Sequence, residues 1–301
     1  RMRDHRYWRT CRTTFVTAVA AKTVSAQPEV SKTVSAPVIP AKKLPASSKI
    51  AKTRELTVEQ EPAAKAVQII ENDPIASTVP DHGAWNTLLQ KHVNSAGKVQ
   101  YKGFKEDKDA LDAYCQLLAD HVPADEWSRA NKMAYWVNAY NAFTLKLILN
   151  YYPVKSIKDI GGTIQIPLIN SPWDIKFIKI GTTTYDLNNI EHDILRKKYN
   201  DPRIHFAIVC ASKSCPRLRN EAYTPERINK QLDEQAISFI NDKTKNQVSS
   251  DEIKISEIFN WFKGDFTENG SLIDFLNKYS TIKIGKDAKV SHLNYEWTIN
   301  E

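Results

Sequence analysis

The sequence predicts an α+β fold: a single domain with a small, mostly antiparallel sheet packed by several helices, preceded by a disordered tail. Three observations carry this prediction. The first 80 of the 301 residues hold 7 of the 14 prolines, no glycine, and no aromatic residue after Phe15. Such a stretch buries too little apolar area to offset its ordering entropy. Residues 81–301 open with apolar residues at helical spacing and continue as short alternating runs between turn residues. No glycine-rich phosphate loop follows any of those runs, which argues against nucleotide-binding α/β folds.

The boundary near residue 80 also divides the charge. Residues 1–80 carry 13 basic and 7 acidic side chains, and residues 81–301 carry 29 and 28. The basic excess therefore belongs to a low-complexity tail or linker, in which Lys22-Thr-Val-Ser-Ala26 recurs as Lys32-Thr-Val-Ser-Ala36. The nearly neutral core has no electrostatic reason to seek nucleic acid. No run approaches the ~18 apolar residues of a transmembrane helix. Arginine-rich residues 1–12, a weak apolar stretch from Phe15 to Ala21, and Val24-Ser-Ala26 have the layout of an export signal. An exported protein, periplasmic or secreted, is one expectation; a plain basic tail on a cytoplasmic protein is the other.

Within 81–301 the elements follow in order. Ala84 to Val93 places Trp85, Leu88, Leu89 and Val93 on one helical face. Asn94 to Gly97 reads as a turn and Val99 to Lys102 as a short strand. Lys108 to His121 is an amphipathic helix, and a longer helix runs from about Ser128 to Tyr151, stopping before Pro153. Ile175 to Ile180, Gly181-Thr182 and Thr183 to Tyr185 give a hairpin signal. Leu187 to Lys198 is a helix and Arg203 to Val209 a β-rich run. Pro225 to Asp242 is a helix with Thr224 as its N-cap. Ile253 to Ile255 and Thr281 to Ile284 read as strands, with helices at Ser256 to Phe262 and Leu272 to Tyr279 between them.

Polar residues in apolar settings mark the candidate site. Asn131, Asn138 and Asn141 share one face of a helix that is otherwise apolar nearly all round. Asparagine is costly to bury unpaired, so the stripe either ties loops to the helix or lines a site. Glu191 sits inside the apolar stripe of Leu187, Ile190, Ile194 and Leu195, where a carboxylate must be paired, hydrogen-bonded or protonated. A capping box with Asn188 is the plainer reading of Glu191. His192 faces aside, toward Arg196.

On a strand over 203–209, Arg203 and His205 point one way, and parity sends Cys210 the other way, into the core. Cys215 follows a short polar loop, with Lys213, Arg217 and Arg219 close in sequence. A thiol near an imidazole and cations can become a thiolate nucleophile. The alternatives are a Cys210–Cys215 disulfide, inert buried thiols, and a metal site from His192, His205 and a cysteine, though no recognised ligand spacing is present.

Several of these motifs occur together and in a known order. Ala134-Tyr-Trp-Val-Asn-Ala-Tyr-Asn-Ala142, Ser156 to Ile160, Pro172-Trp-Asp174, Asn189 to Arg196, Asp201 to Ala207 and Ser214-Cys-Pro216 resemble the family called domain of unknown function 547 (DUF547). With Ile258 to Trp261 and Asp265-Phe266, the resemblance covers roughly 85–295. It implies no assigned activity, and it implies shared use of the core-helix asparagines, Glu191, His192, Arg203 and His205.

Two functions fit. One is a cofactor-independent hydrolase or transferase acting on an amide, peptide or thioester-like bond. There Cys215 attacks, His205 is the base and Glu191 or Asn138 orients it, with Asn138, Asn141, His192 and Arg203 binding substrate. The other is a non-catalytic module whose polar pocket binds a small ligand or a peptide. Neither calls for a metal or a cofactor.

Overall fold

The computed structural model describes residues 78–160 and 171–301. The expected disordered tail lies outside the described residues but for its last three. Those described belong to the compact unit Pro74–Glu301.

The helical half comprises α1 (Gly83–His92), α2 (Tyr101–Glu106), α3 (Lys108–Asp120) and α4 (Arg129–Tyr151). Helix α4 is the centre of the fold. It is buried on every side from Met133 to Leu149, apart from half-buried Lys146. It starts where the Ser128 hydroxyl accepts the Asn131 N–H, and it ends where Tyr152 turns extended ahead of Pro153. Helices α1 and α3 meet through Trp85 stacked on Tyr114, with ring centroids 5.5 Å apart.

The second half holds two small sheets. β1 (Ile178–Ile180) and β2 (Thr183–Tyr185) form an antiparallel hairpin, turned at Gly181 with φ +56°. The other sheet has the order β3 (Gln247–Val248), β4 (Glu252–Ser256), β5 (Lys289–Leu293). Its β3–β4 pair is antiparallel and its β4–β5 pair parallel, with Ile253 opposite Val290. Between β4 and β5 run α7 (Ile258–Trp261), α8 (Lys263–Thr267) and α9 (Leu272–Asn277). These helices, the sheet and α6 (Ile228–Ile240) close over a second core of Phe206, Phe239, Phe259, Phe266 and Phe275.

The α+β class stands, and four local expectations do not. Arg203 to Val209 is no strand: α5 (Ile204–Ala207) is a short helix. The Asp201 carboxylate accepts the Arg203 N–H at 3.0 Å, and Pro202 presets its own φ. That turn outweighs the β propensity of the isoleucines. Val99 makes an isolated bridge to Val93 before α2 begins at Tyr101. Thr281 to Ile284 is irregular: Asn241 Oδ1 and Asn277 Oδ1 accept the N–H groups of Thr281 and Ile284, and the strand lies later, at β5. Helix α6 starts at Ile228, and Thr224 serves a preceding turn in which its carbonyl accepts the Arg227 N–H.

One buried histidine sets a pH dependence. His82, just ahead of α1, bonds the Tyr114 hydroxyl through Nδ1 at 2.8 Å. Its Nε2 has no hydrogen-bond partner among the described residues. Burial disfavours the imidazolium by more than neighbouring Asp81 favours it, and brings the pKa down to about 4. The unfolded chain takes up a proton near pH 6.5 where the fold does not, so stability falls as pH drops from 6.5 toward 4. The full effect is about 3 kcal/mol. Urea unfolding at stepped pH should show this slope, and His82→Leu should flatten it; an unchanged slope in the variant contradicts the assignment.

Candidate functional site

The site is built on α5 and the irregular segment after it, 208–224, much of which is buried. Its backbone polar groups need partners there. Carboxamides supply them. Asn138 donates to the Tyr223 carbonyl at 2.8 Å and accepts the Tyr223 N–H at 3.0 Å. Asn141 donates to the Ala207 carbonyl at 2.9 Å and accepts the Val209 N–H at 3.0 Å. From α6, Gln235 donates to the carbonyls of Phe206 and Arg217, and Gln231 to that of Ala222. Asn138 and Asn141 thus act as ties between α4 and the segment rather than as a face turned to a ligand.

The tied segment sets α5 beside a charged cluster. His205 is buried, and its Nε2 lies 2.7 Å from Asp265 Oδ2. Arg196 grips the same carboxylate with two nitrogens, at 2.6 and 2.8 Å. Burial alone would raise the Asp265 pKa, but the bonds from Arg196 and His205 outweigh it and hold the group well below the usual carboxylate range. An ionised carboxylate only accepts, so His205 carries its proton on Nε2. Burial, more than Asp265 opposes it, lowers the His205 pKa and keeps the ring neutral. Phe262 stacks on the imidazole at 3.9 Å. Arg196 also donates to His192 Nδ1 at 3.1 Å.

Glu191 lies on the π-helical segment Asn189–Arg196, among its buried residues. It is 6% exposed and accepts from the Tyr140 hydroxyl at 3.1 Å. The capping box with Asn188 is not formed. Asn188 donates to Asp174 instead, and the reciprocal cap pairs Asp186 with Asn189.

A cavity of about 260 Å³ opens at the outer edge of this cluster. Asp265 and Phe266 form part of its wall, with Asp201, Arg203, Arg129, Asp274 and Lys278 around it. Arg203 is held rigidly there: Asp201 accepts from its Nε at 3.0 Å and its Nη2 at 2.6 Å, and Asp233 from its Nη1 at 2.8 Å.

The cysteines lie apart from the imidazoles. Cys215 is 4% exposed, and its sulfur accepts the Cys210 N–H at 2.9 Å. Among the described residues no hydrogen bond joins either thiol to a histidine. Cys210 is half-buried, with the hydroxyls of Ser212 and Tyr295 each 3.2 Å from its sulfur. Parity had placed it in the apolar core; with no strand at 203–209, parity does not apply. Among the described residues no three His, Cys, Asp or Glu side chains group as a metal site, so His192, His205 and the cysteines do not converge as ligands.

The structure therefore joins His205 to the Asp265 cluster, puts Arg203 on the cavity wall and seats Glu191 against Tyr140. Sequence reasoning missed Asp265, 60 residues from His205, and Tyr140, which looks like any core aromatic. The Asp265-Phe266 motif was the available signal for the first.

An α+β domain with a polar cavity, walled in part by an ion-paired carboxylate, is the class that fold and site define. Residues 124–240 match the family model described as "Protein of unknown function, DUF547", which shows the resemblance over that span. No curated protein and no solved structure matches the chain.

Removing the Asp265 charge leaves Arg196 without its bidentate partner. Asp265→Asn should cost about 2–3 kcal/mol of stability at pH 7. Because the folded-state pKa is depressed, the wild-type advantage is complete above pH ~4 and shrinks as pH falls below that. Equal unfolding free energies for both proteins at pH 7 would show that the cluster contributes nothing.

Proposed function

We propose that this domain is a non-catalytic binding module that receives a small polar ligand or a peptide end in the cavity between Arg203 and Asp265. The observation that carries this reading is the fixing of both charges before any ligand arrives. Arg203 is locked by Asp201 and Asp233, and Asp265 by Arg196 and His205. Preorganised charges spare the entropy of ordering them on binding.

The wall carries three cationic residues, Arg129, Arg203 and Lys278, and three anionic ones, Asp201, Asp265 and Asp274. A ligand bearing both an ammonium and a carboxylate matches that balance. The volume suits an amino acid or short peptide end better than a drug-sized molecule. The near-neutral charge of 81–301 speaks for such a ligand over nucleic acid. No helix among the described residues is long and apolar enough to cross a membrane.

The hydrolase reading with Cys215 and His205 is weaker on geometry. It needs a nucleophile in contact with its base. Here the imidazole is committed to Asp265 and the thiol to the Cys210 N–H.

Amide-resolved NMR titration with amino acids and dipeptides tests the proposal. Shifts should gather at 199–203 and 265–279, and Arg203→Met should weaken them. Absence of any shift would overturn the binding reading, and turnover of an amide or thioester substrate that Cys215→Ala abolishes would replace it with the hydrolase.

A further inference from the structure

We infer that Cys210 and Cys215 form a reversible dithiol–disulfide pair, with Cys210 the entering thiol and Cys215 the resolving one. This site stands apart from the cavity and does not rest on the binding proposal.

The geometry pairs the sulfurs and distinguishes them. The Cys215 sulfur lies against the Cys210 backbone, 2.9 Å from its nitrogen. Both are unbridged. Cys215 is buried and Cys210 half-buried, so Cys210 is the more exposed residue of the pair. The Ser212 and Tyr295 hydroxyls, each 3.2 Å from the Cys210 sulfur, can donate to a thiolate there. No histidine is needed for this activation.

The loop is held in shape from outside. Ala211, between Cys210 and Ser212, has φ +60°, a left-handed conformation that residues with a Cβ rarely adopt. The C-terminal segment enforces it. The Ala211 carbonyl accepts the Asn300 N–H at 3.1 Å, and the N–H groups of Lys213 and Ser214 donate to the carbonyls of Thr298 and Glu296. Tyr295, which reaches the Cys210 sulfur, comes from the same segment. The C-terminus thus both bends the loop and supplies a thiolate donor.

The electrostatics agree with this division of labour. Burial opposes the Cys210 thiolate, but hydrogen bonds from Cys215, Ser212 and Tyr295 outweigh it and bring the thiol down to about 7. Burial and the neighbouring Cys210 push Cys215 well above its ordinary value. One sulfur is ready to attack while the other keeps its proton.

The co-reactant is a low-molecular-weight disulfide, RSSR. The Cys210 thiolate attacks one sulfur: a Cys210–SR bond forms, the S–S bond of RSSR breaks, and RS⁻ leaves. Cys215 then gives its proton to that thiolate and attacks the Cys210 sulfur. The Cys210–SR bond breaks, the Cys210–Cys215 bond forms, and a second RS⁻ leaves. The dithiol loses two electrons and RSSR gains them, yielding RSH and RS⁻. An excess of RSH reverses the sequence.

The test uses the full chain, reduced and freed of reductant, with iodoacetamide and hydroxyethyl disulfide as probes and peptide mapping by mass spectrometry. At pH 7 iodoacetamide should label Cys210 about tenfold faster than Cys215 or Cys115, as expected for a thiolate against ordinary thiols. Tyr295→Phe should move the midpoint of the labelling pH profile upward. Hydroxyethyl disulfide should yield a Cys210–Cys215 bridge in the wild type and a trapped adduct on Cys210 in Cys215→Ser. Faster labelling at Cys215, or a wild-type chain that forms adducts but never the bridge, would overturn the inference. The wild-type measurements decide it even if a variant fails to fold.

Discussion

The pairing of buried carboxamides with loop backbone is the interaction on which the rest of this fold hangs. An irregular segment crossing a protein interior brings peptide groups that no helix or sheet partner satisfies. A carboxamide side chain presents the same donor and acceptor as a peptide group. Asn138 and Asn141 each use both ends, on Tyr223 and on Ala207 with Val209. They project from a helix buried on almost every side, so the loop takes its position from the centre of the core. The position of His205 beside Asp265 and the closeness of Cys210 to Cys215 both follow from that anchoring.

Electrostatics then builds outward from the anchored segment. Arg196 comes from the π-helical segment, His205 from α5 and Asp265 from α8, so one ion-paired carboxylate joins three elements. The family match covers the first two and stops before the third. Arg203 lies within the matched span, whereas Asp265 and Asp274 on the cavity wall lie beyond it. The cavity is thus made jointly by the matched span and by the helices after it.

Much of this was legible in the sequence. The seven- and three-residue spacing of the asparagines put them on one face, and their burial demanded partners. Glu191 inside an apolar stripe announced a buried carboxylate with a specific donor, which Tyr140 supplies. What escaped depends on order along short segments and on distance. The run Arg203 to Val209 has strand-like composition, but Asp201 and Pro202 set a turn that starts a helix, and with the strand went the parity that assigned Cys210 its face. Asp265 could not be linked to His205 because nothing local connects residues 60 apart. The parallel partner of β4 likewise comes from β5 and not from the nearer run at Thr281, whose backbone Asn241 takes.

Amide hydrogen exchange on Asn141→Ala measures the anchoring directly. The substitution strands the Val209 N–H and the Ala207 carbonyl in the interior, a loss of about 1–3 kcal/mol. Protection at Val209 and its neighbours over 205–215 should fall about ten- to a hundredfold, while α1 and α3 keep theirs. Val209 protected as in the wild type would contradict an anchoring role for the carboxamides, and a loss spread evenly over the whole domain would show that Asn141 serves general stability alone.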